Sequence, residues 1–354
     1  MKLMFTTVPG IEDVVIRELD RMNINVRSWE KIGISELGGR IIVDLECKSL
    51  NFIRKMRSIE KAYIVINYGI FEGKNIEDLE KLIHSIDIED VVKYLTHNTT
   101  FAVRSVRAGN HNFTSMDIMK IFGEYVRQYV KRTRGYIPIV DLENPDVVIE
   151  FDIIGNRYIL SIEIVRRSLR HRPYRVYHHE ATINPPLAYA MNVLLDYDPD
   201  GRYLLLDPLC GSGTIIIEGL NYYRNSTYIG TDIDYRNCLG SIMNIREADI
   251  YDRCCIICSD STRLSKFIKS CDGIVTNPPY GVRMEPIDKL DRFYSKILNE
   301  FYNIIDVGSR VVFITSRRGI VDKILRRLKF RIIGRRFVEQ GGMISTIYIL
   351  EKEI

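Results

Sequence analysis

The chain has 354 residues, of which 46% are hydrophobic and 27% charged, and its formal net charge is +4. This composition is typical of folded globular proteins and excludes a disordered or fibrous chain. The length exceeds what one hydrophobic core usually serves, so we expect two or three domains. The small positive charge permits a polyanionic partner without demanding one.

Two further features bear on the compartment. The first ten residues lack the apolar core of a signal peptide, and no apolar run is long enough to span a bilayer. The seven cysteines are an odd number in a chain too large to need disulfide staples. We therefore expect a cytoplasmic protein with reduced thiols and no membrane partner.

Residues 1–60 predict a small α+β unit. Apolar residues at helical spacing follow Pro9-Gly10, and a strand pattern covers Gly39–Leu45. A second amphipathic helix is predicted around Leu50–Met56.

Residues 61–165 mix strands and helices again. The predicted elements are strands at 62–66 and 101–107, a helix at 115–130, and strands at 147–153 and 157–164. Gly155-Asn156 joins the last two strands, which is a strong hairpin signal. We therefore expect a second α+β domain.

Residues 166–180 form a basic linker. Its first ten positions hold five arginines and no acidic residue: Arg166, Arg167, Arg170, Arg172 and Arg175. A solvated linker could carry such charge without binding anything. Guanidinium groups interleaved with His171 and Tyr174 are better suited to phosphates and stacked bases, so we assign these arginines to RNA binding.

From residue 181 to 354 strands alternate with helices. The predicted strands are 203–206, 228–231, 254–258, 273–276 and 310–315, followed by a terminal hairpin that turns at Gln340-Gly341-Gly342. Such alternation predicts a doubly wound, Rossmann-like parallel sheet.

Cys255 and Cys258 have the Cys-x-x-Cys spacing of zinc and redox sites. No second pair and no histidine cluster lies nearby in the sequence to complete four ligands. We expect no metal, and a buried strand that uses cysteine as a small hydrophobe.

A glycine-containing loop separates the first strand of this region from an apolar helix. Glycines let a backbone approach a ligand closely, and a helix N-terminus offers unpaired N–H groups to an anionic or carboxylate-bearing ligand. The candidate cofactor-binding residues of this loop are Asp207, Pro208, Cys210, Gly211, Ser212, Gly213 and Thr214.

Acidic residues close the next two strands. Asp232 follows the glycines by about twenty residues, where a carboxylate can accept both hydroxyls of a ribose, and Asp260 closes the third strand. With their neighbours Ile233 and Ser261 they predict a nucleoside site. Ile216 stands where a dinucleotide loop has its last glycine, which disfavours a nicotinamide cofactor.

The fourth strand runs into Asn277-Pro278-Pro279-Tyr280-Gly281. The prolines restrict the backbone, so the Asn277 side chain and the Pro278 carbonyl are predicted to face one point. Two such acceptors suit a planar –NH2 group that attacks a methyl sulfonium, while Tyr280 stacks on an extruded base. We assign Asn277, Pro278, Pro279 and Tyr280 to catalysis.

These motifs resemble those of amino-methyltransferases, and Phe101–Ile164 resembles a THUMP domain. The whole chain, with an N-terminal ferredoxin-like domain before the THUMP domain, is similar to archaeal and bacterial THUMP-containing tRNA guanine-N2 methyltransferases. That resemblance implies S-adenosylmethionine as cofactor, tRNA as partner and a monomeric enzyme. It also implies that Thr182 contacts the methionine end of the cofactor, and it favours position 6 of tRNA over position 10.

Other functions stay open. Methylation of a pyrimidine carbon usually requires a cysteine after proline, and no Pro-Cys occurs; a thiouridine synthase requires an ATP-pyrophosphatase loop, which is also missing. Adenine amine methylation uses the same Asn-Pro-Pro-Tyr chemistry. A noncatalytic tRNA-binding adaptor is the alternative from a different class.

Overall fold

The computed structural model describes residues 1–33, 38–47, 49–179, 182–280, 287–340 and 342–354. The chain forms two compact units, one made of Met1–Thr7 with Val15–Leu169 and the other of Val8–Val14 with Arg170–Ile354. Within the described residues, every helix is too short or too polar to cross a membrane.

The first unit contains a mainly antiparallel sheet with helices. Its strands are β1 (Lys2–Thr6), β2 (Asn25–Ile32), β3 (Arg40–Glu46), β4 (Lys61–Ile70), β5 (Thr100–Arg104), β6 (Arg107–Ala108), β7 (Ile139–Val140), β8 (Val147–Ile154) and β9 (Arg157–Glu163). Its helices are α1 (Glu12–Arg21), α2 (Ile76–Ser85), α3 (Glu89–Val92) and α4 (Ser115–Arg134). The first residues of α1 belong to the other unit.

The strands of this unit lie in the order β2-β3-β1-β4-β9-β8-β5-β7, and β6 pairs with β8. Strand β4 pairs with both β1 and β9, so strands on either side of the predicted boundary at residues 60 and 61 share one sheet. That boundary stays a prediction. The hairpin at Gly155-Asn156 is confirmed.

Two predicted elements of this unit are shorter than expected. The strand predicted at 101–107 breaks after Arg104, where the Val106 amide donates to the Asp152 side chain of β8 at 2.6 Å instead of to a backbone carbonyl of that strand. The helix predicted around Leu50–Met56 is a single 3-10 turn, Asn51–Lys55.

The second unit contains strands β10 (Leu204–Asp207), β11 (Thr227–Asp232), β12 (Cys254–Cys258), β13 (Cys271–Thr276), β14 (Ile305–Thr315), β15 (Phe330–Gln340) and β16 (Met343–Lys352). Its helices are α5 (Pro185–Val193), α6 (Thr214–Tyr222), α7 (Tyr235–Glu247), α8 (Ile287–Ile304) and α9 (Arg318–Leu325). Short 3-10 helices cover Tyr251–Arg253 and Ser261–Lys266.

The strand order in this sheet is β12-β11-β10-β13-β14-β16-β15. The pairs from β12 to β14 are parallel, and β16 pairs antiparallel with both β14 and β15. The predicted Rossmann-like sheet and terminal hairpin are therefore confirmed, with an antiparallel extension at one edge.

Both faces of this sheet are covered, as parallel sheets require. Leu205 and Val275 pack into one apolar core, whereas the adjacent Leu206 and Ile274 pack into another on the opposite face. The alternation of side chains along a strand produces this division. The result is a platform whose five parallel strands, β10 to β14, present their carboxyl ends at one edge.

One edge strand of this sheet, β15, is covered by residues 8–14. The Glu339 amide donates to the Pro9 carbonyl at 3.3 Å, and Asp13 pairs with Arg336. Gly10 has φ +101°, and a Cβ there would lie 2.0 Å from the Phe337 carbonyl oxygen, so this approach requires glycine.

At the other edge the strand β12 is confirmed, but it is not buried as predicted. Cys255 and Cys258 are exposed and the other three residues are half-buried. Among the described residues, β12 is the last strand at this edge of the sheet.

Candidate active site at the carboxyl ends of the parallel strands

The candidate site residues lie at the ends of four adjacent strands. Asp207 ends β10, Asp232 ends β11, Asp260 follows β12 and Asn277 follows β13. Because these strands are parallel neighbours, all four residues lie along one edge of the sheet. This is the edge where open α/β sheets bind ligands.

The glycine loop makes a tight turn between β10 and α6. Gly211 and Gly213 have φ angles of +51° and +76°, and Gly213 is the N-cap of α6. A Cβ at Gly213 would lie 3.1 Å from the Ser241 Cβ, so glycine also allows α7 to pack closely. The turn places the N-terminus of α6, whose first amides have no partner within the helix, just after the carboxyl end of β10.

The Asp232 carboxylate holds the loops together. Its Oδ2 accepts the Gly211 amide at 3.0 Å, and its Oδ1 accepts the Asp234 amide at 2.9 Å and the Asn237 side chain at 3.2 Å. A carboxylate has about four acceptor positions, so about one remains, on Oδ2. The side chain is therefore placed to accept one ribose hydroxyl without rearrangement, whereas the sequence predicted two.

A hydrogen-bonded chain that the sequence did not reveal supports this arrangement. The Tyr177 hydroxyl donates to Asn237 Oδ1 at 3.0 Å, and Asn244 exchanges hydrogen bonds with the Tyr177 backbone while donating to the Ser212 carbonyl at 2.9 Å. A Cβ at Gly240 would lie 2.1 Å from the Tyr177 ring, so only glycine admits that ring. No local motif marks these residues.

Thr182 lies beside the glycine loop. Its hydroxyl donates to the His179 carbonyl at 2.5 Å and lies 3.3 Å from the Ser212 hydroxyl, which lies 3.2 Å from that of Thr214. The structure thus brings Thr182 to the predicted cofactor-binding loop.

The start of the loop is tied to β11. Cys210 donates its amide to the Thr231 carbonyl at 2.8 Å, and the Thr231 hydroxyl donates to the Pro208 carbonyl at 2.8 Å. The predicted residues Pro208 and Cys210 therefore act through the shape of the loop, and the Cys210 side chain is buried.

Asp207 is fully buried below the loop. Its Oδ1 accepts the Thr276 hydroxyl at 2.8 Å and the Leu209 amide at 3.2 Å, which links β10 to the strand that precedes Asn277. Its Oδ2 is buried without a hydrogen-bond partner among the described residues. Burial raises the pKa of this carboxyl to about 7 despite those two hydrogen bonds.

Past β11 and β12 the edge becomes more open. The Ile233 side chain is 72% exposed, although it directly follows the buried Asp232. Asp260 accepts the Thr262 amide at 2.9 Å as the N-cap of a 3-10 helix that begins at Ser261. Burial raises the pKa of the Asp260 carboxyl, but the hydrogen bonds from Thr262 offset this and leave the pKa below its ordinary value.

The Asn-Pro-Pro-Tyr segment is closed on itself. The Tyr280 hydroxyl donates to Asn277 Oδ1 at 2.8 Å, so the acceptor predicted for an amine is bonded within the motif. Pro278 is buried and Pro279 exposed, and Gly281 lies outside the described residues. An amide oxygen can accept two hydrogen bonds, so one lone pair of Asn277 Oδ1 remains for an amine. The stacking of Tyr280 on a base stays a prediction.

Three residues hold the backbone of this segment. The Tyr294 hydroxyl lies 3.2 Å from the Pro279 carbonyl oxygen and 2.8 Å from the Thr315 hydroxyl. Arg317 Nε donates to the Tyr280 carbonyl at 2.6 Å, and its amide donates to Thr315 at 3.0 Å. These partners come from α8 and from the end of β14, so no pattern within the motif itself indicated them.

Comparison with known proteins decides the class. Residues 172–346 match the family described as RMKL-like, methyltransferase domain, and residues 73–163 match the THUMP domain. The chain belongs to the THUMP-containing methyltransferases. The resemblance inferred from its motifs is confirmed, and so is the prediction that the protein is an enzyme that transfers methyl groups.

Relatives of this methyltransferase match nearly its full length. It is 28% identical to the tRNA (guanine(6)-N2)-methyltransferase of Methanocaldococcus jannaschii, over 98% of each chain. It is 25% identical to the tRNA (guanine(10)-N2)-dimethyltransferase of the same organism, over 88% of this chain and 90% of the other. The crystal structure of TrmN from Thermus thermophilus has a TM-score of 0.80 at 25% identity, over 99% of each chain.

The arginines of the basic linker in this methyltransferase differ in exposure, and only some of them are available to RNA as predicted. The side chains of Arg166, Arg167 and Arg170 are exposed and that of Arg175 is half-buried. Their assignment to RNA binding stays a prediction.

The prediction is wrong for Arg172. Its guanidinium is 8% exposed and pairs with the fully buried Glu218 of α6 at 2.9 Å. Tyr174 is also buried and donates its hydroxyl to Glu218 at 2.8 Å, so it does not stack on bases. A buried carboxylate requires such partners, and they come from the linker.

Within the described residues, no three histidine, cysteine or acidic side chains are grouped as a metal site would need.

Proposed function

We propose that this methyltransferase transfers a methyl group from S-adenosylmethionine to the exocyclic 2-amino group of a guanosine in tRNA, at position 6. One observation carries the proposal: a nucleoside-type site and an amine-accepting Asn-Pro-Pro-Tyr segment lie at the ends of adjacent strands in one unit. Position 6 is supported by the guanine(6) relative, which matches 98% of this chain.

The residues at the glycine loop fit the cofactor. A Cβ at Gly211 would meet only the His179 ring, at 3.9 Å, among the described residues, so the backbone is open to a close ligand. The unpartnered Asp207 Oδ2 suits the ammonium of the methionine end, which would restore a charged partner to a buried acid. Ile233 offers an exposed apolar surface to the adenine, and Asp232 an acceptor to the ribose.

S-adenosylmethionine supplies an electrophilic methyl group. The chain's own residues then orient the amine. Asn277 Oδ1 and the Pro278 carbonyl oxygen accept its two hydrogens and stabilise the positive charge that develops on nitrogen. Asn277 Oδ1 already accepts the Tyr280 hydroxyl, and its second lone pair remains for the amine, while the Tyr280 ring stacks on the base.

The alternatives are less well supported. The guanine(10) relative matches a smaller share of this chain, and the acceptor pair alone would serve an adenine amine as well as a guanine amine. A noncatalytic adaptor would not require the intact hydrogen-bonded arrangement of Asp232 and Asn277. We also propose that one chain suffices, because the candidate catalytic and cofactor-binding residues all lie in the unit that contains residues 170–354. A tRNA-modifying activity such as that of the guanine(6) relative supports a cytoplasmic location.

Mass spectrometry of nucleosides tests the proposal directly. The purified enzyme is incubated with S-adenosylmethionine and an unmodified tRNA transcript that has guanosine at position 6. We expect N2-methylguanosine, and none with a matched transcript that has adenosine at that position. Methyladenosine, or methylguanosine in both transcripts, would contradict the proposed base or position.

A further inference from the structure

A second arginine-rich segment lies in the catalytic unit. Between residues 317 and 336 there are nine basic residues and one acidic residue, including the pairs Arg317-Arg318, Arg326-Arg327 and Arg335-Arg336. The segment runs from the start of α9 into β15. Its charge is spread over a helix and the strand that follows it along the chain.

This segment begins at the catalytic motif. Arg317 Nε donates to the Tyr280 carbonyl at 2.6 Å. Arg317 thus fixes the backbone of the motif, and the next residue, Arg318, is at the start of a surface that leads away from it.

An exposed aromatic ring accompanies the charge. The Arg318 guanidinium lies 5.6 Å from the centre of the Phe337 ring, and 45% of the Phe337 side chain is exposed. The Arg318 side chain is 54% exposed. An exposed arginine beside an exposed aromatic ring suits phosphates together with bases or sugars.

Two arginines of this segment share one acidic partner. Asp322 lies 3.7 Å from Arg318 Nε and 2.7 Å from Arg335 Nη2, and it also accepts the Tyr348 hydroxyl at 2.8 Å. A single negative charge cannot neutralise both guanidinium groups, so the surface keeps a net positive charge. Arg335 and Arg326 line a depression of about 280 Å³ beside Asp322.

We propose that Arg318, Arg326, Arg335 and Phe337 form an arginine track that binds the RNA strand flanking the target nucleotide. The proposal rests on the proposed function, since it assigns the substrate strand of the same site. The guanidinium groups contact phosphates and Phe337 contacts a base or sugar. The track's contact with the catalytic motif through Arg317 and its positive charge favour a polyanionic strand as the occupant.

Charge reversal with a matched control tests the track. Arg318→Glu should weaken binding of an unmodified tRNA transcript several-fold and lower the slope of log affinity against log salt by roughly 0.7 to 0.9 for each lost phosphate contact. Phe337→Ala should weaken binding without changing that slope. Arg202→Glu is the control, because Arg202 is exposed and precedes β10 at the opposite edge of the sheet.

Binding of S-adenosylmethionine reports folding of each variant, and wild-type affinity is expected. If Arg318→Glu fails that check, Arg326→Glu replaces it with the same expected change in slope. Slopes and affinities equal to those of Arg202→Glu would overturn the track while leaving tRNA methylation by the wild type intact. Failure of the wild type to bind and methylate tRNA would overturn the proposed function and the track together.

Discussion

The two halves of the site differ in how far their polar groups are already in place. In the cofactor half, Asp232 and Asn244 hold the glycine loop through hydrogen bonds to backbone groups. In the substrate half, the acceptor on Asn277 is bonded to Tyr280. The backbone of that half is held by hydrogen bonds from Tyr294 and Arg317.

The polar groups of the two halves are therefore preorganised in different ways. The cofactor half needs no rearrangement to offer its amides and acceptor. In the substrate half the Asn277 oxygen already accepts the Tyr280 hydroxyl, which orients the amide and leaves the second lone pair for a substrate amine. One neutral hydrogen bond of this kind contributes about 0.5–1.5 kcal/mol.

The largest effect is expected from Asn277→Ala, which removes the acceptor of the substrate half alone. The methylation rate at saturating cofactor and tRNA should fall by about two orders of magnitude or more, since the amine loses an oriented acceptor in the transition state. Cofactor affinity, measured by calorimetry, should change little. A near-normal single-turnover rate would contradict the role of Asn277.

Asp232→Ala disturbs the cofactor half. We expect cofactor binding to weaken by about 1–3 kcal/mol, because the ribose acceptor and the anchor of the Gly211 amide are both lost. Asp232→Asn, which keeps one acceptor oxygen, should lose less. Equal calorimetric affinities for the wild type and the alanine variant would refute the assignment.

Asp207 makes the cofactor half dependent on pH. Burial raises the pKa of its carboxyl to about 7, so the unliganded site is mostly protonated at pH 6. An ammonium prefers the ionised form, so affinity should rise about fivefold between pH 6 and pH 7, while an α-amino group is still mostly charged. Asp207→Asn should abolish this rise.

The raised pKa of Asp207 also makes the stability of the unliganded protein depend on pH. A carboxyl whose folded pKa lies above its ordinary value favours the folded state when protonated, so stability falls as pH rises from about 4 to about 7. Thermal unfolding of Asp207→Asn should lack that part of the decline. An identical pH profile in the variant would contradict the buried, unpartnered state of Asp207.

The smallest effect is expected from Tyr280→Phe, which removes the internal hydrogen bond but keeps the ring. The methylation rate should stay within about threefold of wild type, because the Asn277 acceptor and the Tyr280 ring both remain and only one neutral hydrogen bond is lost. Tyr280→Ala should be slower, with weaker productive binding of RNA. A Tyr280→Phe rate as low as that of Tyr280→Ala would assign the hydroxyl a part in the reaction.

The sequence determined the features that depend on short stretches of chain. The strand–loop–helix at Asp207–Thr214 and the rigid Asn-Pro-Pro-Tyr segment follow from local backbone preferences and from alternation of apolar residues. Because parallel strands end at one edge, the sequence also predicted that Asp207, Asp232, Asp260 and Asn277 would lie together.

Only the tertiary structure decided which polar groups find partners. Arg172 and Glu218 are 46 positions apart, so the linker pattern could not reveal that one of its arginines is buried. Arg317 reaches the Tyr280 carbonyl across 37 positions, and the arginine track joins a helix to a strand. Such pairs depend on packing between elements, and burial makes a charged or polar side chain bond to whatever partner the fold brings within reach.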